Sequence, residues 1–154
     1  MIIERLNTEH AQFIADHQQM YPKAMWEDAS EFATILASTD FSFGAFADGA
    51  LVGWILCSSE DPESAIQIYW YDLAVLESHH GQGIGKSLMQ HAYRELRWKG
   101  QWIRMHTRRA TYPRSEEGLR RSGYRIVRDV FLPHHYLEEY GIDEDAHELL
   151  LSPI

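Results

Sequence analysis

The 154-residue sequence predicts one mixed α/β domain, with a mostly antiparallel central sheet flanked by about four helices. Three observations carry that expectation. Asp48-Gly49 separates two apolar runs, residues 41–47 and 51–57, as the tight turn of an antiparallel hairpin does. Residues 66–76 place Ile, Tyr, Trp, Leu and Val on both parities, the pattern of a strand buried on two faces. Behind a glycine-rich loop, Ile84, Leu88, Ala92 and Leu96 recur on one helical face.

The elements follow in order. Residues 2–6 read as a short strand, and Asn7 or Thr8 caps a helix carrying Ala11, Phe13, Ile14 and His17 on one face. Pro22 separates it from a second helix with Phe32, Ile35 and Leu36 inward. The hairpin, the central strand and the glycine loop come next, and Lys99-Gly100 stops the helix that follows the loop. A strand over 102–107, a helix after Pro113, a strand after Gly123, an irregular acidic stretch and a last strand around 147–151 complete the chain. No internal repeat or low-complexity linker interrupts it, so residues 1–154 read as a single domain.

Composition narrows the function. A hydrophobic content of 45% is enough for a real core without disulfides or a structural metal. Cys57, the only cysteine, sits in the apolar run Leu51-Val-Gly-Trp-Ile-Leu-Cys57 and reads as a buried strand residue rather than a nucleophile. With no signal-peptide block at the start and no membrane-length apolar segment, it points to a reducing cytoplasm. The net charge is −9, but residues 86–128 hold 12 basic and 3 acidic side chains. That segregation suits a protein that meets an anion at one end and tolerates cations at another. It does not suit non-specific binding to nucleic acid, which needs phosphate neutralisation. The adjacent pairs His79-His80 and His134-His135 lack metal-ligand spacing, so no metal site is expected.

HHGQGIGKSL, residues 79–88, puts Gly81, Gly83 and Gly85 directly ahead of Lys86 and Ser87. Bare backbone before a helix can converge N–H groups on a phosphate. A nucleotide P-loop needs glycine where His80 stands, which makes a nucleotide-binding reading weak. A dinucleotide fingerprint fails in both registers, ending on Lys86 or on Leu88. YDLAVLESHHGQGIGKSLMQHAYREL, residues 71–96, instead resembles the acetyl-coenzyme A segment of the Gcn5-related N-acetyltransferases (GNAT). There Leu-x-Val (here Leu73-Ala74-Val75) leads through a turn to Arg/Gln-x-x-Gly-x-Gly/Ala, matched by Gly83-Ile84-Gly85. The order of the flanking elements also matches that family's layout.

The resemblance implies a GNAT-like sheet splayed at its middle and acetyl-CoA as acyl-donor cosubstrate. Backbone amides from Gly81 through Gln82, Gly83, Ile84 and Gly85 to Lys86, with the side chains of Lys86 and Ser87, would receive the pyrophosphate. Backbone groups of Leu73, Ala74 and Val75 would take the pantetheine arm and polarise the acetyl carbonyl. His80 replaces the family's Arg or Gln, and Arg108, Arg109 and Arg114 are candidates for the outer phosphate. Leu119 stands where a proton-donating tyrosine is common, and Tyr112 where an asparagine is.

Amine acetylation needs a base for the ammonium and an acid for the thiolate. Residues 134–151 resemble the closing segment of ribosomal-protein alanine acetyltransferases, which makes Tyr136 the donor candidate. Asp72 is the base candidate, because a charge inside an apolar strand requires a function or a partner such as an arginine. His106, near the end of the next strand, is the alternative base. In the GNAT family the first two helices and the loop before the last strand enclose the acceptor. Tyr21, Trp26 and Glu27, with Met25, Asp28, Tyr136, Glu138, Glu139 and Tyr140, would then make an aromatic and acidic mouth suited to a cationic amine, while Glu27, Asp28 and Glu31 also suit the first turn of a helix. The leading expectation is an N-acetyltransferase acting on a primary amine of a small molecule or peptide, with a homodimer compatible with the family. The alternative is a coenzyme-A-binding module whose chemistry has decayed.

Overall fold

The computed structural model describes residues 1–19, 21, 23, 26–59, 67–108, 112–133 and 144–154. Seven strands make one sheet: β1 (Ile2–Arg5), β2 (Phe43–Ala47), β3 (Ala50–Ser58), β4 (Gln67–Val75), β5 (Trp102–Arg108), β6 (Tyr124–Leu132) and β7 (Ala146–Pro153). Their order is β1-β2-β3-β4-β5-β7-β6. Every neighbouring pair is antiparallel except β4 with β5. The helices are α1 (Ala11–Asp16), α2 (Ala29–Ser38), α3 (Ile84–Trp98) and α4 (Tyr112–Arg121).

Local chemistry explains these boundaries. Asp48 and Gly49 both take positive φ, 52° and 80°, as a twist-matched two-residue hairpin requires. The Asn7 side chain accepts from the Glu9 N–H and starts a 3-10 turn at Thr8–His10, which runs into α1. Asp28 caps α2 by accepting from the Glu31 N–H at 2.9 Å, and the Ser30 hydroxyl, donating to it at 2.7 Å, together with that N–H holds its carboxyl below the usual range. α3 closes at Gly100, where φ is 68°.

The sheet is covered on both faces. On one, α3 buries Ile84, Leu88, Ala92, Tyr93 and Leu96 against β2, β3 and β4, and Leu119 of α4 joins the same core. Leu88 and Leu96 are wholly inaccessible, and each contributes about 1.5–3 kcal/mol by burial. On the other face, Ile14, Phe32 and Leu36 of α1 and α2 pack on Trp54, Leu56 and Ala74. Cys57 is fully buried in the α3 core, and burial pushes its thiol up to about 12. It is therefore a core residue.

Two irregularities shape the middle of the sheet. β4 pairs with β5 only from Gln67–Trp102 to Tyr69–Arg104. Beyond that point β5 continues against β7 alone and β4 against β3 alone, so the two strands part. The second irregularity is a bulge. The β3–β4 register passes from Cys57–Trp70 to Leu56–Asp72, leaving Tyr71 as the extra residue. Because side chains alternate, one extra residue exchanges the faces of all that follow. Ile68 lies in the α3 core, and past the bulge Leu73 and Val75 pack there too, while Ala74 belongs to the α1–α2 core. The bulge thus turns Asp72 away from α3 and toward α1 and α2.

Candidate functional site

The site lies where β4 and β5 part, with a different chemistry on each face of β4. On the α3 face, the loop after β4 folds back on the strand: His80 Nε2 lies 2.7 Å from the Val75 carbonyl oxygen. This ring closes the loop, whereas the sequence placed it among cofactor contacts. Its neighbour His79 turns to Ser78 Oγ at 2.8 Å, so the two imidazoles have separate partners. Gly81 and Gly83 take φ of 75° and 76°, conformations that cost a side-chain-bearing residue about 1–2 kcal/mol. Gly83 is also the N-cap of α3, which has no capping side chain. Within the helix, the Ser87 N–H is bonded to the Gly83 carbonyl at 3.0 Å, so the Ile84, Gly85 and Lys86 amides precede the helical ladder and point outward at its positive end.

The helix start is pressed close to the sheet. A Cβ on Gly53 of β3 would stand 3.1 Å from the Ala74 carbonyl oxygen and 3.2 Å from Ile84 Cγ2. Gly53 thereby lets β3, β4 and the first turn of α3 meet. From that turn a groove of about 1300 Å³ runs between α3 and α4. Leu73, Met89, Tyr93, Met105 and Leu119 give it an apolar lining. Among the described residues, Lys86, Arg94, Arg97 and Arg121 line it with four cations, Arg121 being paired with Glu117, and Glu95 adds a carboxylate. An apolar channel entered past an uncapped helix start and lined by cations fits a long ligand with a diphosphate, as coenzyme A is. Gly81 through Ser87 and the edge of β4 are the residues that would hold it.

On the opposite face stands Asp72. The Tyr21 hydroxyl donates a short hydrogen bond to its Oδ2. Burial raises the Asp72 carboxyl to about 6, the Tyr21 and Leu73 N–H hydrogen bonds draw it down, and the negative charge of Glu27 raises it again. The sequence offered an arginine as the non-functional explanation of this charge; the structure supplies a phenol. Trp26, 45% exposed, donates its indole N–H to the Tyr21 carbonyl at 3.0 Å, and the Lys23 ammonium lies 5.9 Å from the centre of its ring. Tyr21, Trp26, Glu27 and Asp72 are therefore brought together.

His106 is on the other limb of the opening. Ile103 and Met105 of β5 face α3, so alternation directs Arg104 and His106 to the face of Asp72. His106 Nε2 lies 2.9 Å from Glu148 of β7, and Arg104 Nη1 lies 3.7 Å from the same carboxylate. The hydrogen bonds of Asp72 go to Tyr21 and the Leu73 amide, not to His106. Tyr136, Arg109, Met25, Glu138, Glu139 and Tyr140 fall outside the described residues. Arg108 ends β5 and Arg114 lies in α4. Leu119 is buried in the α3 core and lines the groove, so no phenol stands there. Sequence reasoning missed Gln18, Met89 and Met105. Methionines read as ordinary core, and a glutamine past a helix end reads as solvated.

Ala74, expected among the cofactor contacts, packs its side chain into the α1–α2 core, leaving only backbone for a ligand. Alternation also decides which backbone is available. The Leu76 N–H bonds to Val52 of β3, so the amides of Leu73 and Val75 point to the open edge.

A mixed sheet parted at its middle, with a glycine cradle at the parting, has room for a long phosphate-bearing ligand beside a reacting group. A family model described as Acetyltransferase (GNAT) family matches residues 8–116, and the chain belongs to that family. It is accordingly an N-acetyltransferase by family. Solved structures agree in fold. The Escherichia coli ribosomal-protein-S18-alanine N-acetyltransferase superposes with a TM-score of 0.72 at 17% identity, covering 99% of this chain and 93% of that one. An aminoglycoside 6'-acetyltransferase type Ii gives 0.70 at 20%, covering 100% and 98%. Arabidopsis thaliana Naa50, in complex with the bisubstrate analogue CoA-Ac-MVNAL, gives 0.68 at 18%, covering 97% and 96%. No curated protein matches the sequence significantly.

Proposed function

We propose that this chain acetylates a primary amine that arrives as a cation, on a small molecule or a peptide terminus, with Asp72 as base. One observation carries the reading: the cationic groove and the Asp72–Tyr21 pair lie on opposite faces of one strand, at the place where the sheet is parted. Donor and acceptor can meet through that opening without competing for a face.

Bound acetyl-CoA would supply the acetyl group, its C–S bond breaking as the amide forms, and coenzyme A would leave as a thiolate that Tyr136 protonates. The chain's own residues do the rest. Amides at the start of α3, aided by Lys86 and Ser87, hold the diphosphate, and the edge amide of Val75 orients the arm and carbonyl, the Leu73 amide being engaged by Asp72. A free alkylamine, with a pKa of roughly 10, arrives protonated. Asp72, with its carboxyl near 6, is ionised at neutral pH and accepts that proton directly or through water. Trp26 already carries one ammonium over its ring, that of Lys23, and with Glu27 it offers a second cation the same welcome. His106, held by Glu148, is the alternative base on the facing limb. The names of the structural neighbours include a ribosomal-protein alanine acetyltransferase and an aminoglycoside acetyltransferase, so they support an amine acceptor without choosing its size.

Incubation with acetyl-CoA and a panel of amines, with free thiol as readout, is expected to show turnover favouring cationic acceptors. Thiol release that no amine stimulates rejects the reading. A second reading, a coenzyme-A-binding module, is favoured by one observation: buried Leu119 leaves the usual phenol position apolar. Tyr136 is our donor in its place. Tyr136→Phe should lower kcat about 10–100-fold with acetyl-CoA affinity unchanged, measured by steady-state kinetics and calorimetry. Tight coenzyme binding without turnover in the parent would establish the module instead.

A further inference from the structure

Gln18 lies just past α1 and is only 4% exposed, and the hydrogen bonds of its side-chain amide go to main chain. Its Nε2 donates to the Ala15 carbonyl at 2.8 Å and to the Glu27 carbonyl at 2.7 Å. Its Oε1 accepts from the Glu27 N–H at 2.9 Å. One side chain thus joins the last turn of α1 to the residue immediately before the cap of α2. Its own carbonyl accepts from the Tyr21 N–H at 2.9 Å, and the Trp26 indole holds the Tyr21 carbonyl from the other side. Tyr21, so fixed at both ends of its backbone, delivers its hydroxyl to Asp72 across 51 residues of sequence.

We infer that Gln18 is a positioning residue for acetyl transfer: its amide pins the connection between α1 and α2 so that Tyr21 reaches Asp72 on β4. The inference rests on Asp72 acting as base, but it makes its own prediction about the resting protein. The groups acting on Asp72 are the Tyr21 hydroxyl and the Glu27 carboxylate from this connection and the Leu73 amide of its own strand; β3 presents apolar Leu56 opposite it. Losing the connection's register removes the phenol, which favours the ionised form, and so raises the Asp72 midpoint.

The test is a carbon-13 NMR titration of the Asp72 carboxyl, assigned by its absence in Asp72→Asn. Tyr21→Phe should move the midpoint upward, by about half a pH unit or more. Gln18→Met, of similar volume, should move it upward by the same amount, and the double variant no further. Trp26→Phe, which removes the indole donor while keeping an aromatic ring, should give a smaller shift of the same sign and serves if Gln18→Met does not fold. In kinetics, Gln18→Met should lower kcat/KM for the amine about 10-fold and leave the KM for acetyl-CoA within about two-fold. An unmoved midpoint in Gln18→Met and Trp26→Phe, or a double variant equal to the sum of the singles, overturns the inference. If the parent acetylates no amine, the proposed function fails, while the titration still decides the role of Gln18.

Discussion

In the proposed reaction Asp72 is the base, and its environment gives it opposite effects on activity and stability. As a base it works when ionised, so kcat/KM for the amine is expected to rise with pH through about 6. Asp72→Asn should remove that limb and lower kcat/KM by about 10²–10³-fold, with the KM for acetyl-CoA within about two-fold. Stability runs the other way. A carboxyl raised from 3.8 to about 6 on folding stabilises the native state fully below pH 3.8, and that stability is lost as pH rises through 6. Asp72→Asn should therefore gain about 2 kcal/mol on its parent between pH 4 and pH 8, read from denaturant midpoints at both pH values. Gly83 is the corresponding residue for the cofactor. Its positive φ aims the start of α3, and Gly83→Ala should weaken coenzyme A binding about ten-fold in calorimetry while leaving the Asp72 titration in place.

Among the elements, β4 does the most, because its two ends obey different rules. Its first three paired residues hold β5 in register, and the rest gives up that neighbour to leave an open edge. An unpaired edge inside a sheet is costly unless something else satisfies it, which is the physical reason to expect a ligand arm there. The bulge at Tyr71 then assigns faces, Leu73 and Val75 to the α3 core and Asp72 to the side of α1 and α2. α3 must approach this strand closely for its amides to serve, and Gly53 allows it. Gly53→Ala is expected to destabilise the fold by about 1–3 kcal/mol, because its Cβ meets backbone at 3.1 Å. It should also weaken coenzyme binding, since the first turn of α3 moves outward; thermal denaturation with and without the ligand measures both effects.

At the scale of the whole molecule, a chain of net charge −9 gathers cations along one groove and carboxylates at the opposite face of β4. In the proposed reaction an anionic donor and a cationic acceptor would each be drawn to their own side, and both attractions would be screened by salt. Raising ionic strength from about 0.01 to 0.3 M should therefore raise both KM values several-fold, and Arg94→Gln with Arg97→Gln should flatten the response for acetyl-CoA alone. Much of this was legible in advance. The hairpin at Asp48-Gly49, the face of α3 and the glycine cradle were written in turn chemistry and period, which act over a few residues. The charge of Asp72 in an apolar strand also announced itself, because burying a carboxylate demands a reason. What completed the site was not local. A bulge leaves no mark in composition, so the face of Asp72 was undetermined until β3 and β4 were paired. Tyr21 and Gln18 stand 51 and 54 positions from Asp72, and nothing in either neighbourhood names a partner. The sequence by itself determined the class of fold and the glycine-rich, uncapped start of α3. Only packing across the sheet decided which phenol meets the buried carboxylate, because that contact depends on strand register and helix placement rather than on neighbouring residues.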